Sequence, residues 1–184
     1  MAGSIAPAGL HDTLASLLEY PRAGYATRVA GFARHLAEEK PSAAAALEPF
    51  VRFAATLADD EAEEEFIRTF DTNSECALEV GWQVYGETYQ RGVFLTQMRR
   101  LLFETGIEET SELPDHLTLV LRALGRAEKE RAARLLRLTV IPALRKLEKA
   151  LAEKKSPFEP VVASIALALS PDRARPAEEA SSHE

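Results

Sequence analysis

The longest helical pattern in the sequence is AEKERAARLLRLTVIPALRKLEKALAE, residues 127–153. Its apolar side chains recur every three or four positions: Leu136, Val140, Leu144, Leu147 and Leu151. That spacing places them on one face of an α-helix. Pro142 lies inside the pattern and has no N–H to donate, which predicts a kink rather than an end of the helix.

The same periodicity covers most of the chain. Apolar stripes predict further helices over residues 10–18, 25–36, 47–57, 66–70, 94–102, 117–124 and 158–169. Ser42 is the expected N-cap of the helix that follows Pro41, and Gly106 is an expected helix end. No internal repeat is visible. We therefore expect an all-α, single-domain helical bundle with about seven to nine helices.

One segment in the middle of the chain supports two interpretations. Leu78, Val80, Trp82 and Val84 alternate with other residues, which is typical of a strand. However, Leu78, Trp82 and Tyr85 also share a helical spacing, and a lone strand has no pairing partner in a helical chain. A helix or irregular structure is favoured here.

Length and composition are those of an ordinary globular protein. The chain has 184 residues, of which 46% are hydrophobic and 28% are charged. We expect a helical domain over residues 1–170 and a polar, disordered tail over residues 171–184. The single cysteine, Cys76, fits a reducing compartment. Neither a secretory signal nor a membrane-spanning stretch is evident, so a cytoplasmic location without membrane insertion is expected.

Charge is distributed unevenly along the sequence. Through Leu121 there are 20 acidic and 9 basic residues, whereas Arg122–Lys155 holds 4 acidic and 11 basic ones. An acidic front suggests a cationic ligand, although two solvated helix faces of opposite sign would explain the same pattern. A regulator that binds nucleic acid through Arg122–Lys155 is a third reading. The net charge of -7 and the interspersed basic residues argue against nucleic-acid binding.

Catalytic and metal-binding motifs are not evident. The four histidines are scattered, and no phosphate-binding loop or histidine–carboxylate metal motif is present. The acidic run of residues 59–65 fits a solvated helix N-terminus, and Cys76 fits a small packing residue. We therefore predict no catalytic residue, no metal and no cofactor.

The most distinctive motif is Ser-Glu-Leu-Pro-Asp-His-Leu, residues 111–117. As structure, it predicts a helix start with Pro114 in the first turn and with Glu112 and Asp115 complementing the helix dipole. That interpretation does not account for His116, which a helix N-terminus disfavours in its charged form unless a carboxylate stabilises it. The functional alternative from these residues is a small helical enzyme that uses Asp115 and His116 as an acid/base pair.

Taken with two further elements, this motif resembles a known family. Phe-Ile-Arg-Thr-Phe-Asp occupies residues 66–71, and Tyr85-Gly86-Glu87 and Arg91-Gly92 lie between it and the Glu-x-Pro-Asp-His element. In this order and spacing the elements resemble the NarJ-type assembly chaperones of nitrate reductase, a branch of the TorD-like family. Phe66 stands where a tyrosine is common in that family.

The resemblance implies a cytoplasmic, all-helical chaperone without catalytic activity. Such proteins bind the apo catalytic subunit of a molybdopterin enzyme, commonly through its N-terminal segment, until the molybdenum cofactor is inserted. For exported clients that segment is a twin-arginine signal peptide. The family's binding region maps here to Leu113, Pro114, Asp115 and His116, preceded by Glu112. Phe66 and Phe70 are expected nearby.

Physical considerations agree with such a role. A basic, amphipathic client segment would lie as a helix in an apolar groove, and acidic borders would attract it. Trp82, Tyr85 and Tyr89 are the expected aromatic anchors, because Trp and Tyr are enriched among interface anchors. The alternative for Trp82 and Tyr85 is that they fill the core. Monomer and dimer both remain open.

Overall fold

A computed structural model describes residues 9–108 and 110–170, and over these residues the chain is all-α. The helices are α1 (Leu10–Ser16), α2 (Tyr25–Glu39), α3 (Pro41–Ala54), α4 (Asp59–Phe66), α5 (Val80–Tyr85), α6 (Tyr89–Glu104), α7 (Leu117–Arg126), α8 (Lys129–Leu135), α9 (Ile141–Glu153) and α10 (Glu159–Leu169). A π-turn joins α8 and α9 into one continuous helix. The ten labelled segments therefore form nine helices among the described residues. The predicted fold class is confirmed. The predicted tail, residues 171–184, lies outside the described residues.

Helix α3 lies at the centre of the packing. It contacts α2 on one side and α10 on the other, and α10 also packs against α9. Helix α1 connects this layer to α7, because it contacts both α2 and α7. The buried Ser164 hydroxyl donates a hydrogen bond to the Ala43 carbonyl over 2.7 Å, which fixes α10 against α3.

Four phenylalanines of the core, Phe50, Phe66, Phe70 and Phe158, pack around one another. The Phe158 ring lies 4.8 Å from the rings of both Phe50 and Phe70, and 5.9 Å from that of Phe66. Several of these rings meet edge to face or tilted, which is the favoured geometry for aromatic pairs. The end of α4 and the π-turn that follows it, Ile67–Asp71, are therefore anchored to α3 and to the start of α10.

The long helix predicted over residues 127–153 runs from Lys129 to Glu153 and contains a π-turn. The turn spans Leu136–Val140 and directly precedes Pro142, in the first turn of α9. A proline ring crowds the carbonyl four residues earlier and supplies no N–H, and a widened turn accommodates both effects. Pro142 was predicted to kink the helix without ending it; the structure shows a π-turn before Pro142, and the helix continues to Glu153.

Two helix boundaries can be compared with the sequence prediction. The prediction that Ser42 caps α3 is wrong: α3 begins at Pro41, where a missing N–H costs nothing. The predicted end of α6 is confirmed, because Gly106 adopts a φ of 68° just beyond Glu104. Glycine occupies this left-handed conformation without the strain a side chain would add.

The ambiguous central segment is helical, as favoured. Helix α5 covers Val80–Tyr85, and the residue before it, Glu79, forms an isolated antiparallel bridge with His116. The bridge holds the start of α5 beside the start of α7. The most distinctive sequence motif lies at this junction.

Candidate functional site

The α5–α7 junction is held by backbone hydrogen bonds. The Val80 N–H donates to the Asp115 carbonyl over 2.9 Å, and the Leu117 N–H donates to the Leu78 carbonyl over 2.8 Å. Within the motif, the His116 N–H donates to the Leu113 carbonyl over 2.9 Å and closes a turn. The motif is therefore a rigid connection between two helices.

The structure corrects the predicted start of α7. Pro114 was expected in its first turn, but the helix begins at Leu117 and His116 is its N-cap. Pro114 lies instead in the turn that precedes the cap, where its fixed φ suits a tight reversal. The His116 Nδ1 accepts from the Thr118 N–H at 3.4 Å, in the manner of a capping side chain.

The His116 ring is mostly buried, with 12% of its side chain exposed. Its Nδ1 lies 2.8 Å from the Thr118 hydroxyl, and its Nε2 lies 3.9 Å from a Glu112 carboxylate oxygen. Burial lowers the pKa of His116, while the negative charges of Glu79 and Asp71 oppose that shift. Because Nδ1 accepts a hydrogen bond, the neutral ring carries its proton on Nε2, toward Glu112.

Asp115 is fully buried at the same junction. Its Oδ2 accepts a hydrogen bond from the Gly81 N–H over 3.0 Å and lies 3.7 Å from the Arg91 Nε. Its Oδ1 has no hydrogen-bond partner among the described residues. Burial raises the pKa of Asp115, an effect that the Arg91 charge and the Gly81 N–H reduce.

Gly81 allows the close approach of Asp115. A Cβ at this position would lie 2.6 Å from the Asp115 Oδ2 and 2.9 Å from the Phe94 ring. Both distances are shorter than van der Waals contact. The absence of a side chain at Gly81 is therefore what lets the carboxylate reach the backbone of α5.

Arg91 links Asp115 to the surface. Its guanidinium lies over the Trp82 ring, 5.4 Å from the ring centroid, in a cation–π arrangement. The Trp82 indole N–H donates to the Ser74 carbonyl over 2.8 Å. Arg91 and Trp82 together form one wall of a concave surface.

That concave surface consists of two adjoining cavities, which we call the His116 groove. The first, of about 580 Å³, is lined by Phe70, Asp71, Thr72, Ser74, Ala77, Leu78, Glu79, Trp82, Arg91, Glu112 and His116. The second, of about 270 Å³, is lined by Leu18, Glu19, Tyr20, Arg22, Phe66, Asp71, Thr110, Ser111, Glu112, His116, Thr118, Leu119 and Arg122. Asp71, Glu112 and His116 line both cavities. Asp71 and Glu112 therefore lie beside the histidine in both cavities, and three arginines, Arg22, Arg91 and Arg122, line one cavity or the other.

The predicted site residues lie in four environments: the His116 groove, the buried positions beneath it, a different cleft and the exposed surface. Phe66, Phe70, Trp82, Glu112 and His116 line the His116 groove. Phe66 and Phe70 line the groove although they are nearly buried, because most of each ring packs in the core. Trp82 is half-buried.

Two predicted residues lie beneath the groove rather than in its wall. Pro114 and Asp115 are both buried, whereas Leu113 beside them is 45% exposed. Tyr85 packs against Phe94, with ring centroids 5.5 Å apart, and lines a different cleft. Tyr89 is 84% exposed at the start of α6.

Some groove residues were not singled out from the sequence. Glu79 carried no motif signal, and its place in the groove comes from its bridge to His116. Asp71 and Arg91 stood inside the quoted family elements, but their own roles were not assigned.

The part of the chain that the structure describes lacks both a metal-binding cluster and a membrane-spanning helix. It holds no cluster of three or more histidine, cysteine or carboxylate side chains arranged for a metal ion. Cys76 is buried and free, and burial raises the pKa of its thiol, in line with a packing role. Over the same residues, no helix is long and apolar enough to cross a membrane.

The all-α bundle and the groove at its α5–α7 junction place the protein in the class of helical assembly chaperones. The family model described as nitrate reductase delta subunit matches residues 36–163, most of the chain. The chain belongs to this family, the NarJ-type branch of the TorD-like chaperones of molybdoenzyme assembly. The predicted resemblance is thereby confirmed. No curated protein gives a significant match.

Proposed function

We propose that this protein is a cytoplasmic, non-catalytic chaperone that binds the apo catalytic subunit of a molybdenum oxidoreductase, nitrate reductase or a related enzyme. It binds the client through a basic N-terminal segment, twin-arginine-like where the client is exported. It holds that subunit while the molybdenum cofactor is inserted. The His116 groove is the binding site for the segment.

The observation that carries this proposal is the placement of carboxylates around His116. Asp71 and Glu112 line both cavities of the groove, and Glu79 lines the larger one. All three side chains lie at the surface or are only partly buried. A basic segment that contacts these three carboxylates would meet negative charge next to the histidine, which favours association with cationic partners.

Apolar contacts in the same groove support binding of an amphipathic segment. Trp82 presents a half-buried ring that Arg91 holds in place, and Phe70 contributes an edge to the same cavity. Leu113 adds an exposed leucine next to the rim residue Glu112. Aromatic and aliphatic side chains of this kind supply affinity, whereas the carboxylates supply charge selectivity.

The contacts of Asp115 and His116 favour this role over an acid/base enzyme. The Asp115 carboxylate is fully buried and faces Gly81 and Arg91. The His116 ring faces Thr118 and Glu112 instead. General acid/base catalysis requires a group within hydrogen-bonding reach of its substrate, and a fully buried carboxylate does not meet that requirement.

Calorimetry with a client peptide tests the proposal. The peptide is the N-terminal segment of the molybdoenzyme encoded beside this protein, and binding is compared for the wild type and Glu112→Gln. Glu64→Gln is the matched control, because Glu64 is an exposed carboxylate on α4 outside the groove. We expect weaker binding for Glu112→Gln alone. Equal binding by all three proteins, or none by the wild type, would contradict the proposal.

A further inference from the structure

Helix α6 carries two exposed aromatic side chains on the side that points away from the core. It packs against α5 and α7, and its buried residues are Phe94, Met98, Leu101 and Leu102. On the opposite side, Tyr89 is 84% exposed and Phe103 is 86% exposed, whereas no other large hydrophobic residue in the described ranges is more than 50% exposed. Exposed apolar area of this kind is typical of an interaction surface.

The two aromatic residues belong to one stripe, which we call the outer face of α6: Tyr89, Val93, Thr96, Arg100 and Phe103. Their spacing of i, i+4, i+7, i+11 and i+14 keeps them on one side of an α-helix for about 21 Å, roughly four turns. Val93 is 40% exposed. The Thr96 hydroxyl donates to the carbonyl four residues earlier over 3.1 Å, so covering this side chain leaves no hydroxyl without a partner.

The outer face of α6 is symmetric about Thr96. Tyr89 lies seven positions before Thr96, and Phe103 lies seven positions after it. If two α6 helices pair antiparallel with a two-fold axis at Thr96, Tyr89 of each copy lies opposite Phe103 of the other. The pair then has two identical aromatic contacts, one at each end. A surface that is complementary to itself in this way is what a two-fold dimer requires.

Charge distinguishes a second copy from other occupants of the outer face. Arg99 and Arg100 are exposed beside the aromatic residues, so a basic client segment would meet like charge. An acidic partner gains little from Arg100, because its Nε already lies 2.7 Å from the Glu104 carboxylate. In the antiparallel pair, Arg100 lies opposite Gly92 and Arg99 lies opposite Val93 of the other copy, so the arginines do not face one another.

We propose that a second copy of this chain covers the outer face of α6, in an antiparallel pair of α6 helices. Fully covered aromatic side chains bury about 150–250 Å² each, so the four rings contribute on the order of 600 Å² or more. Stable interfaces bury about 1,200–2,000 Å² in total, so this dimer is weak and forms as concentration rises. No residue of the outer face lines the His116 groove, so the dimer leaves the groove open, and the proposal does not depend on the client.

Analytical ultracentrifugation of the full-length protein tests the dimer over a range of micromolar concentrations. We expect a reversible monomer–dimer equilibrium in the wild type. Phe103→Glu should weaken dimerisation by about tenfold or more, because it removes both aromatic contacts of the pair. Leu167→Glu is the matched control, because it adds the same charge at a 49% exposed apolar position on α10. It is expected to dimerise like the wild type.

Cysteine crosslinking tests the geometry of the pair. A disulfide requires Cβ atoms about 4 Å apart, so Thr96→Cys on the two-fold axis should crosslink to itself under a mild oxidant. Ala133→Cys is the control, because Ala133 is exposed on α8 and lies outside the outer face. The native Cys76 is buried and does not compete.

Four outcomes would overturn the proposal. The first is a wild type that stays monomeric at every concentration. The second is a dimer that is unchanged in Phe103→Glu, which circular dichroism is expected to show folded because this side chain is exposed. The third is crosslinking of Thr96→Cys no greater than that of Ala133→Cys. The fourth is loss of client-peptide binding in Phe103→Glu, which would assign the outer face of α6 to the client instead.

Discussion

Asp115 and Gly81 are 34 positions apart in the sequence, yet the Asp115 carboxylate accepts a hydrogen bond from the Gly81 N–H over 3.0 Å. This contact joins the turn before α7 to the first turn of α5. The same carboxylate lies beside Arg91, which covers Trp82 in the wall of the His116 groove. A fully buried residue thus connects through Arg91 to the wall of the His116 groove.

Replacing Gly81 by alanine is expected to destabilise the protein. The new methyl would lie 2.6 Å from the Asp115 Oδ2, so the carboxylate or the α5 backbone must shift. Overpacking of this kind costs about 1–3 kcal/mol. Gly31→Ala in α2 is the control, because a Cβ there meets nothing within 4 Å, and alanine in a helix is expected to stabilise slightly. Urea denaturation measures both; equal stability of the two variants would contradict the packing seen at Gly81.

Asp115→Asn is expected to fold but to change the environment of Trp82. Asparagine retains an oxygen that can accept from the Gly81 N–H, while the loss of charge frees Arg91 from its carboxylate neighbour. Trp82 is the single tryptophan of the chain, so its fluorescence reports directly on this change. We expect an altered emission together with weaker client binding. If the variant were unfolded by circular dichroism, the role of Asp115 would be structural alone.

The same variant should change how stability depends on pH. Burial raises the pKa of Asp115 in the folded protein above the ordinary value of 3.8, so the folded state holds this proton more tightly than the unfolded state. The Asp115 contribution is therefore complete below that value and is lost as pH rises through the folded pKa. As pH rises through that window, the wild type should lose stability and Asp115→Asn should not. The difference in unfolding free energy between them should therefore change in favour of the variant. A constant difference would contradict the raised pKa.

The titration of His116 should make the stability of the protein depend on pH in the opposite direction. Burial lowers its pKa below the ordinary 6.5, so the folded state favours the neutral ring. Stability is then lost as pH falls below about 6.5, until the folded pKa is passed. His116→Asn retains a side-chain acceptor for the N-cap and removes the titration, so its stability should vary less over this range. Parallel pH profiles for the two proteins would show that His116 does not titrate in this way.

Substitutions at Phe70 and Tyr89 should distinguish a core residue from a surface residue among the predicted aromatic contacts. Phe70 is 4% exposed and packs against Phe66 and Phe158, so Phe70→Ala should destabilise by about 3–5 kcal/mol. Tyr89 is 84% exposed, so Tyr89→Ala should leave the stability nearly unchanged. Thermal unfolding measures both. A small effect at Phe70 would mean that the end of α4 contributes little to the core.

The helices could be predicted because local spacing determines which side chains face the core. The stripe from Leu136 to Leu151 and the glycine end at Gly106 depend on nearby residues only. The sequence did not predict the π-turn at Leu136–Val140. A proline indicates that a helix is strained, but it does not indicate which change in backbone geometry relieves the strain.

The sequence predicted where the candidate site lies better than it predicted how the residues of the site are arranged. The sequence singled out Glu112–His116, but the burial of Asp115 depends on Gly81, which no local pattern links to it. The alternation around Trp82 is typical of a strand, yet Val80–Tyr85 form a helix, and the bridge to His116 involves Glu79 just before it. Contacts between distant segments decide which motif residues face outward.

Titration of Trp82 fluorescence with the client peptide tests the central claim most directly, because Trp82 lies in the wall of the His116 groove. We predict a saturable change in emission that weakens as salt increases and disappears when the basic residues of the peptide are replaced by glutamine. Calorimetric binding with no change in Trp82 emission would place the client elsewhere on the protein and would contradict the claim.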